Sequence, residues 1–481
     1  MSSAEEILVK ERKEKLAEWI RLKGSPYLEK FSPSDKIGAI KEKFAPLARG
    51  EKTDYKTSIA GRVIAKRTHG KAAFFDLKDE TGKIQLYAKF DRLQEKYSLL
   101  TDKIDIGDIL GIKGNIFKTR SGELTLEVED FVLLAKSLHP LPEKWHGLQD
   151  VEIRYRKRWL DLLVNPGTKE ILLTRAKIIG AIRDFLNKRG FVEVETPIMQ
   201  PVPGGATARP FKTYHNALGV ELYLRIAPEL YLKKLVVGGM EKVYELGKNF
   251  RNEGIDRFHN PEFTMLEVYK AYSDYHDIMQ LLQELICEVA IKVKGELKIQ
   301  YQDKQIDLSP PWKKITFEDA LSKIGGVNVD LRDEDEVRKV AQESGINVDE
   351  LNISQIFEHL LDKKVLPHLV QPTIIYDYPY KTSPLAKRKK EDDFFVERFE
   401  LFIGGWEFAN AYSELNDPLE QRERFTSSAD ERFIDQDFLE SLEYGMPPCG
   451  GLGVGIDRLV MLFTNSSSIR EVILFPQLKP K

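Results

Sequence analysis

The segment FRNEGIDRFHNPEFTMLE, residues 250–267, concentrates charged side chains around a proline. Arg251 is predicted to end a strand, and its planar guanidinium can hold two oxygens of a carboxylate or phosphate at once. The residues that follow are predicted to form a loop that returns Glu253, Arg257 and His259 over the same surface. A ligand with phosphate and carboxylate groups suits this arrangement. An amphipathic hairpin with surface charges would give the same pattern.

A strand with two different faces is predicted from Phe263 to Tyr272. Because side chains alternate along a strand, Phe263 and Glu267 share a face and lie about 13 Å apart. That distance is comparable to the span from a purine ring to the far end of a bound aminoacyl group. The complete face consists of Phe263, Met265, Glu267, Tyr269 and Ala271.

Near the C-terminus, GGLGVGIDRLVMLF places glycines just before an apolar helix. We expect these glycines to form a strand-to-helix turn whose backbone can approach a ligand closely. Arg458 then falls in the first helical turn, where its charge adds to the positive end of the helix dipole. Alone this signal is weak, but together with Arg251 it predicts two clamps on a polyphosphate. The glycines are Gly450, Gly451, Gly453 and Gly455.

The segment RFELFIGGWEFANAYSELND carries two carboxylates, Glu400 and Glu407, on either side of a Gly-Gly break. Mg²⁺ is commonly held by one or two carboxylates together with phosphate oxygens, so this pair is a candidate metal site. Surface charge is the competing interpretation. After the break, the predicted strand places three polar side chains on one face, namely Asn410, Tyr412 and Glu414.

The composition is that of a globular protein with more than one domain. A chain of 481 residues that is 42% hydrophobic predicts two or three domains. The net charge of −3 means that a nucleic-acid partner would have to meet a local basic patch. Cys287 and Cys449 belong to no paired motif, which favours a reducing compartment. The sequence has no signal peptide and no long apolar run, so we expect a cytoplasmic protein with no membrane contact.

The first 50 residues are predicted to form a helical extension. In EEILVKERKEKLAEWIRLKG, the apolar residues Ile7, Leu8, Leu16 and Ile20 recur at roughly the helical period. A solvated helix that packs lightly on the body and an arm that touches RNA are equally compatible with this pattern.

The rest of the chain divides at changes of pattern. Residues 51–138 have short alternating segments separated by Gly-containing turns, which predicts a small β-barrel. A stretch rich in proline and turn-forming residues opens a predicted linker, 139–165. Mixed helix and strand patterns then continue through 166–481. A basic run, KRKK at 387–390, is typical of a solvated loop.

At this level of detail the sequence resembles a known family. RDFLNKRGFVEVETPIM, FRNEGIDRFHNPEFTMLE and GLGVGIDRLVML are similar to motifs 1, 2 and 3 of class II aminoacyl-tRNA synthetases. RIAPELYLKKLVVGG, ELNDP and NSSSIREVILFP resemble the bacterial-type lysyl-tRNA synthetase branch. The resemblance implies an α+β multidomain protein, with an N-terminal OB-fold β-barrel that binds the anticodon. The catalytic domain that follows would be an antiparallel β-sheet flanked by helices.

The resemblance also implies how ATP and Mg²⁺ are held. Arg251 would bridge the α-phosphate and the amino acid carboxylate, Phe263 would stack on adenine, and Arg458 would hold the distal phosphates. Further ATP contacts would come from Glu253, His259, Asn260 and Glu400. Glu400 and Glu407 would carry Mg²⁺, and the resemblance implies more than one ion in each subunit. Since the reaction needs no covalent nucleophile, positioning and charge stabilisation would supply the rate acceleration.

The implied amino acid pocket is acidic, which suits the two ammonium groups of lysine. Glu414 and Tyr269 would meet the side-chain ammonium, and Glu229 and Glu267 the α-amino end. A substrate contact is also implied for the backbone of Gly205. Arg251, Asn410 and Tyr412 complete the lysine-binding set. Trp406 and Phe408 make the GGWEFANAY segment bulkier than is usual in the family, which leaves the outer wall of the pocket open.

The barrel is expected to read the anticodon of tRNA(Lys). In AAFFDLKDETGKIQLY, Phe74 points away from the face of Phe75 and can stack on an RNA base. Gln85 and Glu129 match base-reading positions of the family. The motif 1 helix would form a homodimer interface, although an ordinary core helix has the same pattern.

Three other classes of function compete with a lysine-specific synthetase. A non-catalytic tRNA- or DNA-binding relative would be expected to lack residues such as Arg251, Phe263 or Arg458, which are intact here. An aspartate or asparagine enzyme would need a cation in place of the acidic pocket. A lysyl transferase that modifies proteins would be expected to lack the barrel.

Overall fold

The computed structural model describes residues 3–142, 148–206, 208–428 and 434–480. The chain divides into two compact units, Met1–Gly147 and Leu148–Lys481. In chain order the first unit contains α1 (Ser3–Lys23), α2 (Ile37–Lys43), β1 (Lys52–His69), β2 (Ala72–Lys78), β3 (Lys83–Lys89), α3 (Phe90–Leu93), α4 (Glu95–Ser98), β4 (Ile109–Lys118) and β5 (Leu124–Ala135).

The first unit is a closed barrel with the strand order β1-β2-β3-β5-β4. Alternation along β2 buries Phe75 and Leu77 in the barrel core and leaves Phe74 on the outside. The turn between β2 and β3 is held by Asp79, whose carboxylate accepts hydrogen bonds from the backbone of Thr81 and Gly82. The predicted barrel and the predicted faces of β2 are confirmed.

The N-terminal helix α1 is held by side chains outside its apolar stripe. Of the apolar residues that recur at the helical period, Ile7 is 59% exposed and Ile20 is 46% exposed. The buried side chains are instead Trp19, which packs near Phe131, and Arg12, which donates to the carbonyl of Ser137. The predicted helix is therefore confirmed, and a guanidinium and an indole hold it within the first unit.

The second unit is built on a large sheet with helices on both sides. Its elements are α5 (Val151–Arg156), α6 (Arg158–Val164), α7 (Pro166–Lys188), β6 (Val192–Glu193), β7 (Met199–Gln200), β8 (Lys212–His215), β9 (Val220–Leu224), α8 (Glu229–Val237), β10 (Lys242–Phe250), β11 (Glu262–Ala271), α9 (Tyr275–Lys294), β12 (Lys298–Tyr301), β13 (Lys304–Asp307), β14 (Lys313–Thr316), α10 (Phe317–Asp319), α11 (Glu334–Glu343), α12 (Ile353–Lys364), β15 (Thr373–Pro379), β16 (Phe395–Ile403), β17 (Trp406–Ser413), α13 (Pro418–Ser428), α14 (Gln436–Glu443), β18 (Cys449–Gly455), α15 (Ile456–Thr464) and α16 (Ile469–Val472).

The eight-stranded sheet has the order β14-β15-β16-β17-β18-β11-β10-β6. Its central pairs are antiparallel, and only the edge pairs β14–β15 and β10–β6 are parallel. One face of the sheet buries the largest apolar cluster under α7, α9 and α15. The predicted antiparallel sheet flanked by helices is confirmed.

Helix α9 shows why the sequence folds this way under the sheet. Asp274 caps its N-terminus by accepting from two backbone N–H groups, and Gly295 ends it with a φ of 81°. Between these ends, apolar residues such as Ile278, Leu282 and Leu285 are fully buried against the sheet. A separate apolar cluster joins α11 and α12 to β15 and β16.

Part of the predicted linker is helical. Residues 143–147 lie outside the described residues, but 151–164 form α5 and α6 within the second unit. The basic run at 387–390 is also more ordered than a solvated loop, since Lys387 donates to Asn416 and Arg388 to Glu420. Across the described ranges, no helix combines the length and apolar character needed to cross a bilayer.

Candidate active site

The centre of the open sheet face is a strip of backbone without side chains. In β18, Leu452 and Val454 point into the apolar core, so Gly451, Gly453 and Gly455 face the other way. The predicted glycine-rich turn is wrong: this run is a central strand, and only Gly455 caps α15. The glycines form the floor of a groove, because the larger residues of β18, Leu452 and Val454, point to the opposite face of the sheet.

Two neighbouring strands wall this groove. Glu267 of β11 and Asn410 of β17 pair with Gly453 from opposite sides. Tyr269 and Tyr412 flank Gly451 in the same way. Because cross-strand neighbours share a face, these side chains rise on both sides of the strip. The predicted alternation along β11 is confirmed, since Leu266 and Val268 lie in the core on the other face.

Arg251 lies at one end of the groove, directly after β10. Its guanidinium carbon is 5.1 Å from the ring centroid of Phe263, and its buried Nε has no hydrogen-bond partner. The backbone N–H of Arg251 donates to the carbonyl of Pro261, which closes the loop between the two strands. An unsatisfied guanidinium nitrogen in a buried position is costly, and an anionic ligand at this point would satisfy it.

The loop after Arg251 meets Arg458 on α15. Arg458 lies in the first turn of α15 as predicted, donates to the carbonyl of Glu407, and has Nη2 3.5 Å from Nε2 of His259. The structure therefore brings His259, Glu407 and Arg458 together. Asn260 is buried with its Oδ1 unsatisfied, whereas Glu253 is exposed.

The unusual Trp406 has a structural role in this loop. Its ring stacks on Phe258 with centroids 3.5 Å apart and an angle of 26° between planes. Phe258 belongs to the loop after β10, and Trp406 begins β17, so the stack fastens the loop to the neighbouring hairpin. Phe408, in contrast, is buried in the core on the other face of the sheet. The bulk of this segment therefore fastens the loop after β10 and fills the core, and neither ring lies among the buried glutamates.

The resemblance implies that this loop contacts ATP, so we expect Trp406→Ala to release the loop and raise the KM for ATP. Loss of an aromatic pair costs about 0.5–1.5 kcal/mol, which corresponds to a roughly two- to tenfold rise. The KM for the amino acid should change less. Steady-state exchange kinetics would measure both constants, with Trp406→Phe as the control that keeps the stack. An unaltered KM for ATP in the alanine variant would contradict this role.

Glu400 is buried on β16 and already held by protein groups. Its Oε2 accepts a 2.7 Å hydrogen bond from Tyr378, and its Oε1 lies 2.5 Å from Arg398. Burial raises the pKa of Glu400, Arg398 opposes the rise, and the charge of Glu407 adds to it. Two carboxylates that repel each other beside a cluster of phosphate-binding groups provide the hard oxygen donors that Mg²⁺ prefers. Among the described residues, no three acidic, histidine or cysteine side chains form a metal cluster, so phosphate oxygens would have to complete the coordination.

The other end of the groove is acidic and closed. Glu229, Glu267 and Glu414 are each at most 6% exposed. Gly205 has a φ of +84°, and a Cβ there would lie 2.9 Å from the Cβ of Glu229, so this backbone lies directly against the glutamate. Burial raises the pKa of Glu267 well above its ordinary value, with Glu229 adding to the effect and Arg251 opposing it. An ammonium group placed here would relieve this cost.

The hydroxyl groups near these carboxylates are also withdrawn from water. Tyr269 is 3% exposed, with its hydroxyl 3.5 Å from Glu267. Asn410 donates through Nδ2 to the hydroxyl of Tyr412 at 3.0 Å and accepts from Arg398 at 3.2 Å. The structure thus brings together the whole set that the resemblance assigned to lysine.

Three supporting residues were missed from the sequence. Arg398 organises Glu400 and Asn410 from a buried position on β16. Asp457 of α15 accepts from the backbone of Thr264 and pairs with Arg175 of α7 at 2.5 Å. Because these contacts join α7, β11 and α15, they fix the three motif segments to one another. Strand alternation indicates Arg398, but the partners of Asp457 are too distant in sequence to be inferred.

The first unit offers a separate surface outside its barrel core. Phe74 stacks on Tyr87 with ring centroids 4.9 Å apart. Gln85 accepts a hydrogen bond from Thr125 at 3.1 Å, and Glu129 is ion-paired with Arg92. An aromatic platform beside polar side chains suits single-stranded RNA, where bases stack on rings and present their edges to polar groups.

A cavity of about 420 Å³ lies in the α11–α12 region. It is lined by aromatic and charged side chains, including Phe357, Tyr380 and Phe394. Its cations are already neutralised: Lys381 pairs with Glu334, and Arg332 pairs with Asp392. The cavity therefore lacks the free charge that the groove offers.

An OB-fold unit and a catalytic sheet with this groove define a class II aminoacyl-tRNA synthetase. Comparison with known families agrees. Residues 150–479 match the model of tRNA synthetases class II (D, K and N), and residues 57–134 match the OB-fold nucleic acid binding domain.

Curated relatives narrow the assignment. The lysine–tRNA ligase of Moorella thermoacetica is 51% identical over 99% of both chains. That of Oceanobacillus iheyensis is 49% identical over 98% of both chains, and that of Aquifex aeolicus is 52% identical over 88% of this chain and 73% of its own. The chain belongs to the lysine–tRNA ligase family of class II synthetases.

Proposed function

We propose that this protein activates L-lysine with ATP to form lysyl-adenylate and pyrophosphate, and then transfers lysine to the 3′ end of tRNA(Lys). The observation that carries this proposal is the closed acidic end of the groove. Three buried glutamates, Glu229, Glu267 and Glu414, lie at this end of the groove, and the side chain of Glu414 lies directly against the glycine strip at Gly451. An ammonium-bearing amino acid is the substrate that such a pocket stabilises.

In this reaction the lysine carboxylate attacks the α-phosphate of ATP and pyrophosphate leaves. Arg251 would hold the carboxylate and the α-phosphate together, because its Nε is unsatisfied and buried. Phe263, next to it, would stack on adenine. Arg458, His259, Asn260 and Glu253 would bind the remaining parts of ATP. Such groups accelerate the step by alignment and by stabilising charge that develops in the transition state.

Glu400 and Glu407 are the proposed ligands of Mg²⁺. The ion would supply charge neutralisation at the phosphates when bound. The raised pKa of Glu400 in the presence of Glu407 supports a cation between or beside them.

Selection of lysine follows from the charge of the pocket. Glu414 and Tyr269 would meet the side-chain ammonium, and Glu229, Glu267 and the backbone of Gly205 the α-amino end. Asn410 and Tyr412 would line the wall between them. An aspartate side chain would place a carboxylate against buried glutamates, which is strongly unfavourable.

The outer surface of the barrel is the proposed anticodon site, with Phe74, Gln85 and Glu129 as its base-reading residues. Homodimerisation through α7 and the strands after it is supported by exposed apolar side chains, including Leu173, Val192 and Met199. Sedimentation equilibrium would report the dimer. A cytoplasmic location is supported by the two free thiols.

We expect Phe74→Ala to weaken the use of tRNA without affecting adenylate formation. Loss of one base stack costs about 1–3 kcal/mol, so the KM for tRNA should rise while pyrophosphate exchange is unchanged. Aminoacylation and exchange assays on the same preparation would separate the two effects. Equal damage to both reactions would instead indicate a misfolded barrel.

ATP–pyrophosphate exchange with each of the twenty amino acids, without tRNA, tests the central proposal. Lysine should support exchange and the other nineteen should support little. Exchange with aspartate or asparagine in place of lysine would overturn the proposal.

A further inference from the structure

A lysine of the protein itself lies inside the acidic pocket. Lys233, on the second turn of α8, is completely buried. Its Nζ donates a 2.6 Å hydrogen bond to Oε1 of Glu229 and lies 2.5 Å from Oε2 of Glu414. The contact with Glu414 has the distance of an ion pair but not the angles of a hydrogen bond. One internal ammonium therefore links the two glutamates at opposite ends of the proposed lysine site.

Glu414 uses only one of its oxygens for this link. Its Oε1 is buried and has no hydrogen-bond donor, and it occupies the space beside Gly451. A Cβ at that position would come within 1.8 Å of Oε1. The carboxylate is therefore fixed on one side by Lys233 and open on the other to a donor that the protein does not provide.

The charge of the cluster is one short of balance. Glu229 and Glu414 contribute two negative charges when ionised, and Lys233 contributes one positive charge. Burial alone would lower the pKa of Lys233, but the two glutamates raise it above its ordinary value, so the ammonium is charged. One more buried cation completes the neutralisation of these two carboxylates.

We infer that Lys233 is a positioning residue for substrate selection, which holds Glu414 ionised and aims its free oxygen at the ammonium of the incoming amino acid. This inference rests on the proposed function of the pocket. Lys233 acts through Glu414 and does not touch the reacting atoms. Without it, two buried carboxylates would face each other with no cation, and one of them would keep a proton. A protonated Glu414 cannot attract an ammonium by charge.

The expected effect has a definite pH dependence. Burial raises the pKa of Glu414, Lys233 opposes this rise, and Glu229 adds to it. Removing Lys233 removes the opposing contribution, so the pKa of Glu414 rises further and the neutral form persists to higher pH. Lysine binding should therefore weaken most at low pH and recover as pH rises.

Other titratable groups near Glu414 do not produce the same change. Burial raises the pKa of Tyr269, Tyr412 and Cys449, so these groups remain neutral around pH 7. Burial and Glu229 also raise the pKa of Glu267. The groups named as its neighbours are present both in the parent protein and in the Lys233 variant.

The test compares Lys233→Met with Lys234→Met in lysine-dependent pyrophosphate exchange between pH 6.5 and pH 8.5. Lys234 is the matched control because it pairs with Asp435 and Asp437 and does not contact the glutamates of the pocket. For Lys233→Met we expect a KM for lysine raised by about tenfold or more at pH 7, a smaller increase at pH 8.5, and an unchanged KM for ATP. Lys234→Met should keep the parent profile.

Three outcomes would overturn the inference. A lower KM for lysine would mean that Lys233 competes with the substrate for Glu414. An unchanged KM and pH profile would mean that Glu414 is held without it. Equal increases in the KM for lysine and the KM for ATP in Lys233→Met would be the third such outcome, if Lys233→Arg, which keeps the charge, also fails to restore the KM for lysine. Lys233 would then support only the fold. Absence of lysine-dependent pyrophosphate exchange in the parent protein would instead overturn the proposed function itself.

Discussion

Replacing Arg251 with alanine is expected to abolish adenylate formation while the protein remains folded. Arg251 is half-buried, its buried Nε has no hydrogen-bond partner among the described residues, and its guanidinium lies beside Phe263. A bidentate donor at this point stabilises negative charge that develops as the carboxylate meets the α-phosphate. Loss of one such donor typically costs a factor of roughly a hundred to a thousand in rate. Binding of lysine by the pocket would be weakened as well, because its carboxylate loses a partner.

The measurement is pyrophosphate exchange together with thermal unfolding of each variant. Arg422→Ala is a suitable control, because Arg422 is exposed and its ion pair with Glu443 contributes little to stability. Arg251→Lys keeps the charge but loses the planar fork, so it should recover only a small part of the activity. Exchange by Arg251→Ala within roughly tenfold of the parent would remove Arg251 from the proposed mechanism.

The placement of Arg251, Phe263 and Arg458 could be predicted from the sequence, because it depends only on nearby residues. Arg251 follows a strand, Phe263 begins the next one, and the period of two assigns Phe263 and Glu267 to one face without any tertiary information. Helix α15 likewise begins just after a glycine, which correctly places Arg458 in its first turn. These arguments need only the nearest few residues.

Long-range partners defeated the same reasoning elsewhere. The glycine run was interpreted as a turn because glycine is rare inside strands, whereas here the neighbours of β18 supply side chains that need the empty space. On α8, Lys233 and Lys234 are adjacent in an apolar helix, and nothing local shows which one points inward. Glu414, which pairs with Lys233, directly follows β17 and is far from α8 along the chain. The contacts of Arg12 and Trp19 that hold α1 were missed for a similar reason. Arg12 donates to the carbonyl of Ser137, which comes after the last barrel strand and is far from α1 along the chain.

The residue assignments on the two units therefore differ in how they can be tested. Those of the groove depend on one sheet whose register is continuous from Glu245 through Glu267, Gly453 and Asn410 to Glu400. These positions are therefore neighbours in one continuous register. The proposed base-reading residues of the barrel lie outside its core, so we expect that they can be changed without disturbing catalysis. Loss of adenylate formation in a barrel variant would thus indicate a defect of folding.

Selection of lysine should depend most strongly on Glu414, and Glu414→Gln changes its charge while keeping its shape. Oε1 of Glu414 is buried without a donor, and the variant would leave a substrate ammonium there without an anion. Removal of one partner of a buried ion pair typically costs about 3–5 kcal/mol, so lysine activation should fall by roughly two orders of magnitude or more. The KM for ATP should be little altered, since the phosphate-binding groups lie at the other end of the groove.

The same variant should show which amino acids the pocket can distinguish. A missing methylene changes binding by only about 1–3 kcal/mol, so ornithine should be the strongest competitor of lysine in the parent enzyme. Methionine and leucine should be excluded, because they leave the buried carboxylates without a cation. In Glu414→Gln the preference for lysine over methionine should narrow. Exchange assays with lysine, ornithine and methionine, and with Glu443→Gln as an exposed control, would decide the matter. If the preference for lysine is undiminished, the ammonium is held by another carboxylate, and Glu267 is then the first candidate because it is equally buried and lies one row along the same face.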